Sequence, residues 1–119
     1  MEEKDYLLAL SQCALMGPSR LARLRAFFNS WEKAWSASQR ELQNSGLEEK
    51  IASRLTIFRE KFNYKHFLVF LERHNIKTLT RDEASYPKLL KQIYLPPPLL
   101  YYRGKIELCD RPTIAIVGT

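Results

Sequence analysis

The sequence predicts a mainly helical N-terminal domain followed by the first elements of an α/β domain, and three observations lead to that expectation. Up to Asn75, apolar residues recur at helical spacings, interrupted by Gly17-Pro18 and by two Ser-x-x-Glu sequences. At Ile76 the periodicity switches to a short β-type run, which puts the domain boundary there, with residues 1–75 helical and 76–119 of the second kind. Thr113 to Val117 is a run of small and β-branched residues between Pro112 and Gly118, the pattern of a strand buried on both faces. A buried strand running into glycine commonly opens a phosphate-binding α/β domain, because glycine lets the chain turn tightly and lets amides approach an anion. A lone strand cannot bury both faces, so the expected arrangement is the front part of a longer protein whose second domain is truncated.

Each element has a local justification. Leu7, Leu8, Leu10, Ala14 and Leu15 predict a first helix of about three turns over Lys4 to Leu15. Pro18 suits the first turn of a second helix, which continues through Arg25 and Phe28 with Leu21, Leu24, Phe28 and Trp31 on one face. Arg20 and Arg23 flank one side of that stripe and Arg25 the other. Ser38 with Glu41, and Ser45 with Glu48, fit reciprocal helix capping. They predict a short helix over Gln39 to Gln43 and a longer one from Leu47 to about Lys61, with Ile51, Leu55, Phe58 and Phe62 inward. Asn63 is placed as the next N-cap, and Phe62 and Phe67 as a hydrophobic staple. That helix ends near His74-Asn75, with Phe67, Leu68, Phe70 and Leu71 read as a packed face. Ile76 to Thr80 reads as a strand, and Tyr86 to Ile93 as a brief helix capped by Ser85. Pro96 to Pro98 form a stiff extended connector, and Leu99 to Tyr102 a strand stopped by Gly104.

The 119 residues carry a formal net charge of +6, from 19 Lys and Arg against 13 Asp and Glu. The surplus is spread along the chain, with 12 basic and 9 acidic groups in residues 1–75 and 7 and 4 in the rest. That balance suits an acidic partner without naming one. Cys13 and Cys109 are far apart and only His66 and His74 accompany them, so the spacing offers neither a zinc site nor a disulfide framework, and both read as reduced thiols. The opening MEEKDY has no apolar run suited to a signal peptide or a membrane span, which makes the expected location the cytoplasm.

The stretch LMGPSRLARL is where the helical region looks like nucleic-acid chemistry. A helix-hairpin-helix module offers amides at a glycine turn and at a helix start to a phosphate, with arginines adding attraction. Such hairpins carry two glycines two residues apart; Gly17 takes the second place, and Leu15, which restricts the backbone, stands at the first. Gly17, Arg20 and Arg23 are therefore candidate phosphate contacts, and a hairpin that only packs, with solvated arginines, is the competing reading. Lys88 with Lys91, and Tyr101, Tyr102 and Arg103, offer weaker combinations of charge and aromatic surface. The acidic pairs Glu48-Glu49 and Asp82-Glu83 read as solvated carboxylates. No nucleophile and base stand at useful spacing, and the chain is expected not to be an enzyme.

Over its last third the chain carries Tyr86-Pro87, Leu89-Leu90, Ile93, Pro96-Pro97-Pro98, Leu100-Tyr101, Arg103-Gly104 and Ala115-Ile116-Val117-Gly118-Thr119, in that order. In order and spacing this resembles the DprA family of bacterial DNA-processing proteins, also called Smf, at the start of their extended Rossmann domain. The resemblance implies a SAM-like or helix-hairpin-helix domain over the first 75 residues and the leading elements of a Rossmann-like domain after it. It implies binding of single-stranded DNA, protection of incoming strands in natural transformation, and transfer of those strands to the recombinase RecA. A second copy of the chain is a further expected partner, because a trailing strand without neighbours offers edges for pairing, and neither cofactor nor membrane is expected. Gly118 and Thr119 match the start of the family's phosphate-binding turn; the family's arginine and distal glycine fall after Thr119 and correspond to no residue here. Two alternatives stand beside this: a protein-interaction or oligomerisation module without DNA contact of its own, and the start of a nucleotide-binding Rossmann enzyme.

Overall fold

Six helices follow one another through the first 73 residues. The computed structural model describes residues 1–118. The helices are α1 (Glu3–Ser11), α2 (Pro18–Phe28), α3 (Trp31–Ser36), α4 (Gln39–Asn44), α5 (Glu49–Lys61) and α6 (Tyr64–Arg73). Side-chain caps stand at the starts of α1, α3, α4 and α6, Pro18 opens α2, and a left-handed Asn29 closes it. After them come β1 (Lys77–Thr80), the single turn α7 (Lys88–Lys91), β2 (Leu99–Tyr102) and a 3-10 turn over Ile106–Asp110. Their apolar faces meet in one core in which Leu10, Leu24, Leu42 and Leu55 are fully buried. Burial of each such side chain contributes on the order of 2 kcal/mol. None of the helices among the described residues is long and apolar enough to cross a membrane.

Several local expectations hold. Ser38 and Glu41 cap α4 reciprocally at 3.1 Å in each direction. The Asn63 side chain accepts the His66 amide at 3.1 Å, and the rings of Phe62 and Phe67 lie 5.8 Å apart across the start of α6.

Others are corrected. The first helix stops at Ser11 rather than Leu15: the chain turns at residues 12–16, Leu15 enters the left-handed region at φ 68°, and both Cys13 and Met16 reach the core. Trp31 does not lie on α2. Asn29, left-handed at φ 55°, ends that helix, and Ser30 caps a further one, α3, that the periodicity does not separate. Ser45 and Glu48 form no capping box. The Ser45 hydroxyl donates back to the Leu42 carbonyl at 2.5 Å to close α4, and the Glu48 side chain turns away from its own helix. On α6 only Leu71 is buried, and Tyr64 and Phe67 are half-buried. Leu68, Val69 and Phe70 are 41, 47 and 51% exposed and stand outside the core, the Phe70 ring lying 4.3 Å from that of His74. The helix expected over Tyr86 to Ile93 shrinks to α7, and Ser85 does not cap it. Tyr86 instead turns inward, its hydroxyl donating to the Pro97 carbonyl at 2.7 Å, and helical structure begins only after Pro87.

β1 and β2 pair antiparallel, with Lys77 opposite Tyr102 and Thr80 opposite Leu99. The paired strands pack on the helices through Leu99, which joins their core, while Leu79 is buried on the opposite face, and polar contacts fix their position. Lys4 donates to the Thr78 carbonyl at 3.3 Å and to Glu83 at 3.1 Å, and the Tyr101 hydroxyl meets Ser11 and Gln12 at 2.6 and 2.8 Å. Thr113 to Val117 forms no strand: Ile114, Ile116 and Val117 are 91, 95 and 93% exposed. A strand needs edges to pair with and cover for its faces, and no segment among the described residues supplies either.

Candidate nucleic-acid interface

The turn between α1 and α2 is built from Leu15 and Gly17, with the conformational demand on the first. Leu15 adopts φ 68°, a backbone state that costs a side-chain-bearing residue roughly 1–2 kcal/mol. Gly17 has φ −86° and serves as N-cap of α2, followed by Pro18 at the first helical position. The isobutyl group of Leu15 has not prevented the hairpin from turning, and it projects outward, 58% exposed. Behind it, the backbone amides of Gly17, Ser19 and Arg20 have no hydrogen-bond acceptor among the described residues. These are the orphan donors of a helix start, at its positive end.

Arg20 and Arg23 stand one turn apart on α2 and converge on one carboxylate. Arg20 donates from Nε and Nη2 to Glu48 Oε2 at 3.1 and 2.8 Å, and from Nη1 to the Leu15 carbonyl at 2.8 Å. Arg23 donates to Glu48 Oε1 at 3.4 Å and to the Gly46 carbonyl at 3.2 Å. Hydrogen bonding from Arg20, with the charges of both guanidinium groups, holds the Glu48 carboxyl below its ordinary value. Gly17, Arg20 and Arg23, one candidate site in the sequence, are thus brought together. Glu48 joins them from the start of α5, although its spacing from Ser45 suggests only a helix cap. The arginines are 28 and 25 residues from it, and no local signal marks such a pairing.

The remaining candidates do not join this group. Gly118 lies in the exposed terminal segment with nothing within 4 Å of where a β-carbon would stand, and Thr119 is outside the described residues. Tyr101 is occupied in anchoring the hairpin to α1, its ring edge-on to Phe67 at 6.4 Å. Lys88 and Lys91 sit exposed on α7. Arg25, on the other flank of α2, pairs with Glu3 at 3.3 Å and lies 5.7 Å from the centre of the Trp31 ring.

Residues 77–119 match the family model described as DNA recombination-mediator protein A. Protein Smf of Synechocystis sp. is 36% identical over 122 residues, covering 98% of this chain and 31% of that protein. Protein Smf of Borreliella burgdorferi is 37% identical over 49 residues, 41% of this chain and 16% of that protein. The chain therefore spans about a third or less of the length of these relatives. No solved structure matches it significantly. The family match begins at β1, and the similarity to the Synechocystis protein runs back through the helices and the Gly17 turn. With the motif order of the last third, these matches establish that the chain belongs to the DprA/Smf family of DNA-processing proteins.

Proposed function

We propose that this protein acts in DNA processing and recombination by binding single-stranded DNA, protecting incoming strands and passing them to the recombinase RecA. The observation that carries the proposal is similarity to a Smf protein over nearly the whole chain. In this reading residues 1–75 are a helical domain of SAM-like or helix-hairpin-helix type, and residues 76–119 are the leading elements of a Rossmann-like domain. Gly17, Arg20 and Arg23 contact the phosphate backbone, and Gly118 and Thr119 begin a second phosphate-binding turn. The chemistry is amide and guanidinium contact to phosphate, which positions a strand without reading its bases. It requires no catalytic step.

Fluorescence anisotropy of a labelled single-stranded oligonucleotide, titrated with the protein over a range of salt, tests this. Arg20→Ala with Arg23→Ala should weaken binding and make its salt dependence shallower by about 0.7 for each phosphate no longer neutralised. An unchanged slope in the double variant would remove the α2 turn from the interface.

A second reading is favoured by the exposed apolar run Leu68, Val69 and Phe70 on α6, the composition of a protein contact. There the helical domain docks a protein partner or a second copy. Loss of partner binding on Val69→Asp, with DNA affinity unchanged, would support it.

A further inference from the structure

The two guanidinium groups assigned above to phosphate are not free. They hold an anion that the chain itself provides. Glu48 sits at the N-cap position of α5, where an acceptor would ordinarily satisfy that helix's own amides, yet its side chain makes no such bond. It reaches across to α2 instead, offering two oxygens and one negative charge to Arg20 and Arg23. A phosphodiester offers the same: two unesterified oxygens sharing one charge.

The hold is incomplete. Arg20 directs both Nε and Nη2 at a single oxygen rather than pairing its fork with two, and the Arg23 contact is long at 3.4 Å. Glu48 and Arg23 each have a side chain about half exposed, so solvent and salt screen the pair. Such a contact can compete with an incoming anion without excluding it.

We propose that Glu48 is an intramolecular phosphate surrogate that occupies Arg20 and Arg23 in the free protein and is displaced when a nucleic-acid phosphate binds. The proposal rests on the α2 turn being a phosphate site. Its consequence is a lower affinity for isolated anions. A single phosphate must expel the carboxylate at each encounter, whereas a strand held at several points meets the displacement cost once. The device therefore favours strands over mononucleotides and free phosphate.

The test uses the full chain and a labelled single-stranded oligonucleotide, with anisotropy read over a salt series for the wild type, Glu48→Gln, Glu49→Gln, and each with Arg20→Ala and Arg23→Ala. Glu49→Gln makes the same change in net charge one residue away, at a carboxylate that has no arginine contact among the described residues. Glu48→Gln should tighten binding by about two- to five-fold at low salt, the scale of one screened ion pair. It should also steepen the salt dependence, and both effects should vanish without the arginines. Equal tightening by Glu48→Gln and Glu49→Gln, or tightening that persists without the arginines, reduces the effect to net charge and overturns the proposal. If the arginine variants bind as well as the wild type, the phosphate site itself is what fails. A second readout is the Arg20 Nε–Hε resonance: it should move on Glu48→Gln, and should move in the wild type when oligonucleotide is added. A resonance insensitive to Glu48→Gln rules the contact out in solution, whatever the binding data.

Discussion

Glu3, in the first turn of α1, accepts the backbone amide of Trp31 at 2.8 Å and so caps α3, a helix that begins 28 residues later. The same carboxylate accepts the Glu32 amide at 2.9 Å, the Ser30 hydroxyl at 3.1 Å and Arg25 at 3.3 Å. It thereby ties α1, α2 and α3 together at one point. Glutamine in its place keeps one acceptor oxygen and puts an NH2 group where the other stood, so one of the two helix-start amides loses its acceptor and Arg25 loses its partner charge. Glu3→Gln should lower stability by about 1 kcal/mol, the usual value of an N-cap. Urea denaturation checks this, and an unchanged m-value would show that only stability has moved.

Acid should weaken the fold through the same group. Desolvation pushes the Glu3 carboxyl up, but the amides of Glu32 and Trp31, the Ser30 hydroxyl and the Arg25 charge together bring it below its ordinary 4.5. Glu83 behaves alike: desolvation is outweighed by the Thr80 amide and by Lys4. A carboxyl lower in the folded than in the unfolded state binds fewer protons when folded. Its contribution is therefore complete above pH 4.5 and is lost as pH falls through the lowered folded values. Melting temperature followed by circular dichroism should be flat from pH 7 to 5 and decline below 4.5, less steeply in Glu3→Gln.

Leu15 carries the opposite prediction. It holds φ 68° while mostly exposed, so its side chain gains little from burial to set against the backbone cost. Leu15→Gly should stabilise the protein by about 0.5–1 kcal/mol, the left-handed penalty less the greater freedom of glycine in the unfolded chain. Thermal denaturation decides it. A loss of stability would mean that the leucine packs in solution more than its exposure implies.

Tyr101 secures the hairpin to the helices with a hydroxyl that meets both Ser11 and Gln12. Tyr101→Phe keeps the ring against Phe67 and deletes those contacts, which should cost about 1 kcal/mol. Leu99→Ala, which opens the core beneath the same strand, should cost more, about 2–4 kcal/mol. If the ranking were reversed, the hairpin would be held by its polar contacts rather than by burial.

How much of the molecule is legible in its sequence follows from where each interaction lies along the chain. Ser38 with Glu41, Asn63 with the His66 amide, Pro18 at the start of α2 and the end of α6 near Asn75 all act within a few residues, so their geometry is written in local order. Family membership is legible for a related reason: it rests on the succession of motifs from Tyr86 to Thr119, which is a property of the string. The Ser45 and Glu48 spacing is equally local and misleads, because Ser45 bonds back to Leu42 and Glu48 is paired across to α2. Only the tertiary structure set Glu48 against Arg20 and Arg23 and Glu3 against α3, left Leu68 to Phe70 outward, and left Thr113 to Val117 unpaired. Ion pairing, strand pairing and burial each require a second surface, and periodicity shows which face is apolar without showing what, if anything, comes to cover it.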